Sequence, residues 1–156
     1  MMLDRIDFGI LRLLQNDGGL SNKQIAAAIG LAPSSAHERL KRLRESGVLR
    51  GSHAVVAPKA MGVGLEALLF IEFAKHDRGG VDHFMTEVVA IPEVRCAFLV
   101  TGRYDVVVHI VARDMQHLKD LALDSFTNRP DVMRIETSII FEARARHELP
   151  QLSQPL

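Results

Sequence analysis

The sequence predicts an α+β chain of two domains, and three observations carry that prediction. Apolar residues recur at helical spacing through residues 1–53 and at a period of two from Leu65 onward. An uncharged stretch with Pro and Gly, broken only by Lys59, separates the two regimes. The charge divides there too: residues 1–60 hold nine Lys/Arg against five Asp/Glu, a balance of +4, while residues 61–156 hold ten against fourteen, −4. At 156 residues, 47% apolar and 24% charged, the chain can bury a real core and is not intrinsically disordered. The expected division is 1–53, a linker 54–64, 65–145, and a tail 146–156.

The first part reads as helices. Leu3, Ile6, Ile10, Leu13 and Leu14 mark a first helix that stops before Asn16-Asp17-Gly18-Gly19. Ser21 and Gln24 form a capping box for a short second helix, Gln24 to Ile29, in which Ala26, Ala27 and Ala28 permit close approach of a neighbour. Gly30 supplies the turn, and Pro33 suits the first position of a third helix, Pro33 to Ser46. This is a helix-turn-helix. Ala36, Leu40 and Leu43 face the core of the third helix, leaving Ser34, Ser35, His37, Glu38, Lys41 and Arg42 outward. The hydroxyls and imidazole near its N-terminal end can reach base edges, and the later cations suit phosphates. Arg39 lies at the border and can reach a phosphate or pair in the neighbourhood of Glu38 instead. VLRGSHAVV then reads as a two-stranded wing, with Arg50 and His53 at its tip positioned for the backbone or minor groove.

From Leu65 the pattern is strand (LEALLFIEF), helix (Val81, Phe84, Met85, Val88, Val89), strand (VRCAFLV) and the turn Thr101–Asp105. A strand (VVVHIVA), a second helix (Met115, Leu118, Leu121, Ala122, Phe126) and a last strand, Val132 to Phe141, follow. The turn His76–Gly80 precedes the first of these helices. On the last strand Met133, Ile135, Thr137, Ile139 and Phe141 share one face. The order βαββαβ is the ferredoxin-like plan. Both faces of LEALLFIEF and VVVHIVA are largely apolar, more than one layer of two helices covers, so the second face calls for another copy of the chain. Phe8 lies off the first helix's apolar stripe, as scattered surface or as part of a subunit contact.

Several function classes are excluded. No apolar run reaches the length of a membrane span, and acids within MMLDRIDFGI exclude a signal peptide. Cys96 has no partner for an internal disulfide and reads as a buried, inert thiol; the single cysteine, the missing targeting signals and the composition imply a cytoplasmic chain. The seven histidines show no metal-ligand spacing, His109 reads as a satisfied sheet histidine, and no P-loop, GxGxxG or GxSxG occurs. The expectation is no enzyme, no catalytic residue, no metal and no cofactor. An RNA-binding sheet would need exposed aromatics on its middle strands, and only Phe98 is offered.

The run LDRIDFGILRLLQNDGGLSNKQIAAAIGLAPSSAHERLKRLRESGVLRG resembles the winged helix-turn-helix of the Lrp/AsnC (leucine-responsive/asparagine-synthase-regulator) family of prokaryotic transcription regulators, and residues 1–150 resemble its whole architecture. Ala32 departs from the family's usual Ser cap, and Ser52-His53 from its usual aromatic. The resemblance implies a sequence-specific DNA-binding regulator whose assembly or DNA affinity responds to a small effector, an amino acid. It implies a homodimer on a palindromic double-stranded DNA site, assembling further to an octamer or larger. The DNA-binding residues would be Ser34, Ser35, His37, Arg39, Lys41, Arg42 and Arg50. GRYD matches the family's Gly-x-x-Asp signature, so the effector would meet Thr101, Gly102, Arg103, Tyr104 and Asp105, with hydroxyls from Thr137 and Ser138. Spacing alone favours an ordinary hairpin turn. The alternatives are a ligand-independent architectural DNA-binding protein and a ligand-sensing assembly protein that binds no DNA.

Overall fold

The structure, a computed structural model, describes residues 2–74 and 78–152. The chain divides into two compact units, Met1–Val55 with Arg144–Leu156, and Val56–Ala143.

The first unit is built on α1 (Arg5–Asn16), α2 (Asn22–Ile29) and α3 (Pro33–Glu45). Ile10, Ile25, Leu40 and Leu43 form its buried centre, with Leu3, Ile6, Leu13 and Leu14 packed around it, so the helical stripe read from the sequence is the core face. Of the three alanines in α2 only Ala26 is buried against it; Ala27 and Ala28 are exposed. The Ser21 hydroxyl accepts from the Gln24 amide at 3.3 Å and the Gln24 side chain accepts from the Ser21 amide at 2.9 Å, the expected capping box. The tail returns to this unit: Glu148 pairs with Arg12 at 3.3 Å and accepts from Asn16, and the Leu149 amide donates to Gln15 Oε1.

The two strands expected in the wing are not paired. Residues 48–57 contain no strand. A lone hairpin is marginal unless a third strand or a helix covers it, and here the run is claimed by the helical core instead. The Leu49 amide donates to the Leu43 carbonyl, Leu49 packs on the core, and Ser52 lies beside Gly18.

The second unit is the expected βαββαβ: β1 (Leu65–Phe73), α4 (Arg78–Val88), β2 (Val94–Leu99), β3 (Val106–Ala112), α5 (Met115–Ala122) and β4 (Val132–Ile140). The first residues of the turn read at His76–Gly80 lie outside the described residues, and α4 begins at Arg78. The sheet order is β2-β3-β1-β4, every pair antiparallel. Ala67, Leu69, Ile71 and Phe73 of β1 and Val106, Val108, Ile110 and Ala112 of β3 are buried under Phe84, Val88, Leu118, Leu121 and Phe126. Phe73 meets Phe84 edge-on with centroids 5.0 Å apart.

Two details depart from simple periodicity. α5 gives way to a π-helical turn, Leu123–Thr127, which swings Phe126 into the core while Met115 stays exposed. On β4 the register shifts where Glu72 faces Arg134 but Phe73 faces Val132. The bulge takes Met133 out of alternation, so Val132 and Ile135 pack on the core while Met133 and Phe141 are exposed.

Candidate nucleic-acid interface and effector site

α3 starts at Pro33 behind Ala32, whose methyl group offers no cap; instead the Asn22 side-chain amide donates to the Pro33 carbonyl at 2.9 Å and ties the first turn to α2. Ala36, Leu40 and Leu43 are buried, which turns Ser34, Ser35, His37, Lys41 and Arg44 to solvent.

One flank of α3 is already engaged. Asp4 caps α1, and Asp7 completes a capping box with it while remaining fully buried. Both carboxylates point at α3: Arg39 Nη1 lies 2.7 Å from Asp4 Oδ2 and 2.7 Å from Asp7 Oδ1, and Arg42 Nη2 is 2.7–2.8 Å from both Asp7 oxygens. The Asp7 amide and the Arg39 guanidinium hold the Asp4 carboxyl below its ordinary value, and the two carboxylates push the Arg39 pKa up. Arg39 therefore clamps α1 to α3 through Asp4 and Asp7. Arg42 shares Asp7, although half of its side chain is open.

Among the described residues the opposite flank carries no comparable clamp. Ser34, His37, Lys41 and Arg44 follow one another at i, i+3, i+7 and i+10 and form one stripe along the helix. Lys41 has Glu45, at 3.9 Å, beside it. Arg50 is exposed beyond the helix.

In the second unit Thr101–Asp105 closes the β2–β3 hairpin, with Gly102 at φ +122, where a Cβ is strongly disfavoured. Asp105 fixes the loop to the end of β1: its carboxylate accepts from the Phe73 amide at 2.8 Å, its amide donates to the Ile71 carbonyl, and its carbonyl accepts from Val100. The carboxylate expected to meet the effector thus also holds its own loop. Tyr104 leans on Phe70 at 5.4 Å and donates to Glu136, with Arg103 over its ring at 5.3 Å. Glu136 also takes Arg134 at 2.6 Å and Arg103 at 3.7 Å. The Tyr104 hydroxyl and the two guanidiniums hold the Glu136 pKa below the usual glutamate range, and the carboxylate raises that of Tyr104.

Thr137 and Ser138 do not join this cluster together. Thr137 is opposite Leu69, on the helix-covered side, whereas Ser138 is opposite Leu68, on the open side with Glu136. Successive strand residues point to opposite faces, so only Ser138 can share a surface with Tyr104 and Glu136 in one chain.

Residues 66–150 match the Lrp/AsnC ligand binding domain family and residues 3–50 the winged helix-turn-helix DNA-binding family. The chain belongs to the Lrp/AsnC family. It is 34% identical over 140 residues to the HTH-type transcriptional regulator AldR of Mycolicibacterium smegmatis, covering 90% of this chain and 82% of that one. It is 32% identical to the transcriptional regulator AzlB of Bacillus subtilis, covering 94% and 93%. The solved transcriptional regulator NMB0573 of Neisseria meningitidis, in complex with L-Met, superposes with TM-score 0.83 at 26% identity, covering 99% and 94%.

As an Lrp/AsnC-type DNA-binding transcription regulator, the chain places its DNA-binding part in the first unit and its ligand binding domain in the second. The relatives are regulators rather than enzymes. Among the described residues no helix is long and apolar enough to cross a membrane. Reading the residues in order missed Asp7, Arg44 and Glu136. The i+3/i+4 spacing from Ser34 and His37 was the available signal for Arg44. Asp7 and Glu136 depend on pairing between distant elements, which periodicity does not reveal.

Proposed function

We propose that this regulator reads a palindromic DNA site as a homodimer through the open side of α3, and that a small amino acid bound at the Thr101–Asp105 loop modulates its assembly or DNA affinity. The observation that carries the DNA half is the division of α3 into a flank clamped by Asp7 and a flank left to Ser34, His37, Lys41 and Arg44. Ser34, Ser35 and His37 lie at the end of α3 that enters a major groove; Lys41, Arg44 and Arg50 meet phosphates, joined by the open half of Arg42. Two copies related by a two-fold axis would place their α3 helices about 34 Å apart on one face of the duplex.

The effector half rests on the loop. Thr101 and Gly102 are exposed and could receive a carboxylate on their backbone amides, Ser138 and Glu136 offer acceptors for an ammonium, and Arg103 and Tyr104 border the space. Asp105 acts as a positioning residue, and Thr137 has a role only if a neighbouring subunit presents its other sheet face. The complex of NMB0573 with L-Met supports an amino-acid ligand for this fold. The dimers would associate further through these loops into an octamer or larger ring.

A thermal-shift screen against the twenty amino acids tests this. A ligand at a hundred times its dissociation constant adds about 2.7 kcal/mol, which raises the midpoint by several degrees. The expected result is a hit lost in Asp105→Ala and kept in Asp105→Asn, whose amide oxygen still accepts from Phe73. Loss in both variants would assign Asp105 to the ligand's ammonium. No shift with any amino acid would refute an amino-acid effector.

A further inference from the structure

The tail that returns to the first unit is held there by polar groups. Glu148 Oε1 lies 3.3 Å from Arg12 Nε, Glu148 Oε2 accepts from Asn16 Nδ2 at 3.0 Å, and the Leu149 amide donates to Gln15 Oε1 at 2.8 Å. Arg12, Gln15 and Asn16 stand at i, i+3 and i+4 on one side of the end of α1. Leu149 and Leu152 are exposed, so apolar burial adds little to this hold. α1 is in turn clamped to α3 by Asp4 and Asp7 on Arg39 and Arg42. A group that holds the end of α1 therefore also holds α3.

We propose that the seat of Glu148 on α1 is a latch that sets which spacing of two DNA half-sites the regulator accepts. This rests on the reading above of a homodimer on a palindrome and adds the residues that fix its spacing. The chain joins its two units twice. One connection is the segment 53–63, between Ser52, beside Gly18, and Gly64, bonded to the Ala112 carbonyl; extended, it spans up to about 40 Å. The other exists only while the latch is closed. The segment 141–147 then joins Ile140, the end of β4, to Glu148, and spans at most about 28 Å.

The two segments start and end near each other. Ile140 pairs with Glu66, two residues after Gly64, and Gly18 follows Asn16 by two. The shorter segment therefore sets the reach. Opening the latch lengthens each arm by about 12 Å, and the two arms of a dimer by about 24 Å together. Each base pair added between half-sites moves them apart by about 3.4 Å and turns them by about 35°, so this slack is worth about seven base pairs. A tether that matches the span favours simultaneous binding, and a longer one spreads the same two modules over more separations. The latch is also made to open: the Arg12 and Glu148 side chains are 76% and 26% exposed, and a carboxylate at a helix C-terminus opposes the helix dipole.

The test uses the full-length protein with the palindrome it selects from random sequence, the same site lengthened at its centre by two or four base pairs, and a single half-site. The wild type is expected to prefer the selected spacing. In Glu148→Ala and Arg12→Ala that preference is expected to fall about three- to tenfold, with binding to the single half-site unchanged. Arg12→Glu combined with Glu148→Arg reverses the pair and is expected to restore the preference. Hydrogen exchange at the Leu149 amide reads the latch itself and is expected to quicken in both single variants. Single variants that keep the wild-type spacing preference, a reversed pair no better than the singles, or a Leu149 amide unprotected in the wild type would each overturn the latch. Equal losses on the single half-site would overturn it too, because the tail would then act within one DNA-binding unit. A wild type that binds the palindrome no more tightly than one half-site would instead refute the palindromic homodimer reading, and the spacing role with it.

Discussion

Asp7→Ala is expected to destabilise the DNA-binding unit by about 3–5 kcal/mol, the cost of breaking a buried charge pair from one side. Asp7 is fully buried and receives both Arg39 and Arg42, and its side chain also accepts from the Asp4 amide in the α1 capping box. Alanine would leave two guanidiniums facing a void and remove the reciprocal half of the α1 capping box, while Asp4 still accepts from the residue-7 amide. Against a total of about 5–15 kcal/mol for a typical domain, this removes much of the unit's stability. Asp7→Asn keeps the acceptor of the capping box but not the charge, and should fall between. Urea unfolding followed by probes in the first unit measures this; a loss below about 1 kcal/mol would mean the clamp behaves as a surface ion pair. Acid acts on the same clamp. Asp4 is held below its ordinary value of 3.8 in the folded state, so its contribution is present above that pH and is lost as the pH falls through the lowered value. Unfolding of this unit is accordingly expected to become easier below about pH 4, and not between pH 5 and 8.

Gly64→Ala is expected to cost the ligand binding domain about 3 kcal/mol, at the upper end of overpacking effects. A Cβ at Gly64 would stand 2.0 Å from the Arg113 carbonyl oxygen and 3.0 Å from its carbon. These are backbone atoms, and the Gly64 amide is bonded to the neighbouring Ala112 carbonyl at 2.9 Å. The clash can be relieved only by separating the start of β1 from the end of β3, where Leu65 pairs with Ala112. The expected sign is a lower unfolding midpoint in the second unit with the first unit unchanged. A variant within about 0.5 kcal/mol of the wild type would show that this strand end is free to move. In the sequence, Gly64 is indistinguishable from the rest of an uncharged linker; only the folded sheet shows that the linker has already ended there.

That contrast recurs through the molecule. Features encoded by neighbours in the chain were legible: the Ser21–Gln24 box, Pro33 at the start of α3, the Ala36/Leu40/Leu43 face, and the alternation of β1 and β3. Features set by pairing between elements were not. VLRGSHAVV has the composition of a wing, but Leu49 is worth more against the helical core than in a ribbon without a third strand. Perfect alternation placed Met133 inward, and one bulge opposite Glu72/Phe73 reversed it. Of the candidate DNA-binding residues, Ser34, Ser35, His37 and Lys41 stand on the open side as read. Arg39 is taken by two acids that lie more than thirty residues earlier. At the effector loop the residues of GRYD were legible as a unit because they are contiguous. Glu136 reaches them only because β4 lies beside β1, so it was missed, and Thr137 and Ser138 were joined in sequence but separated by the pleat.

The most direct test of the account is DNA binding by fluorescence anisotropy across a salt series, on a palindrome selected by the protein from random sequence and on a scrambled control. The wild type should prefer the selected site and lose affinity linearly with the logarithm of salt concentration. Lys41→Ala and Arg44→Ala should each weaken binding to both DNAs and lower the salt slope by about one, while His37→Ala should weaken the selected site alone by about 1–3 kcal/mol. Unchanged affinity and slope in Lys41→Ala and Arg44→Ala, with the fold intact, would contradict the assignment of the open side of α3 to DNA.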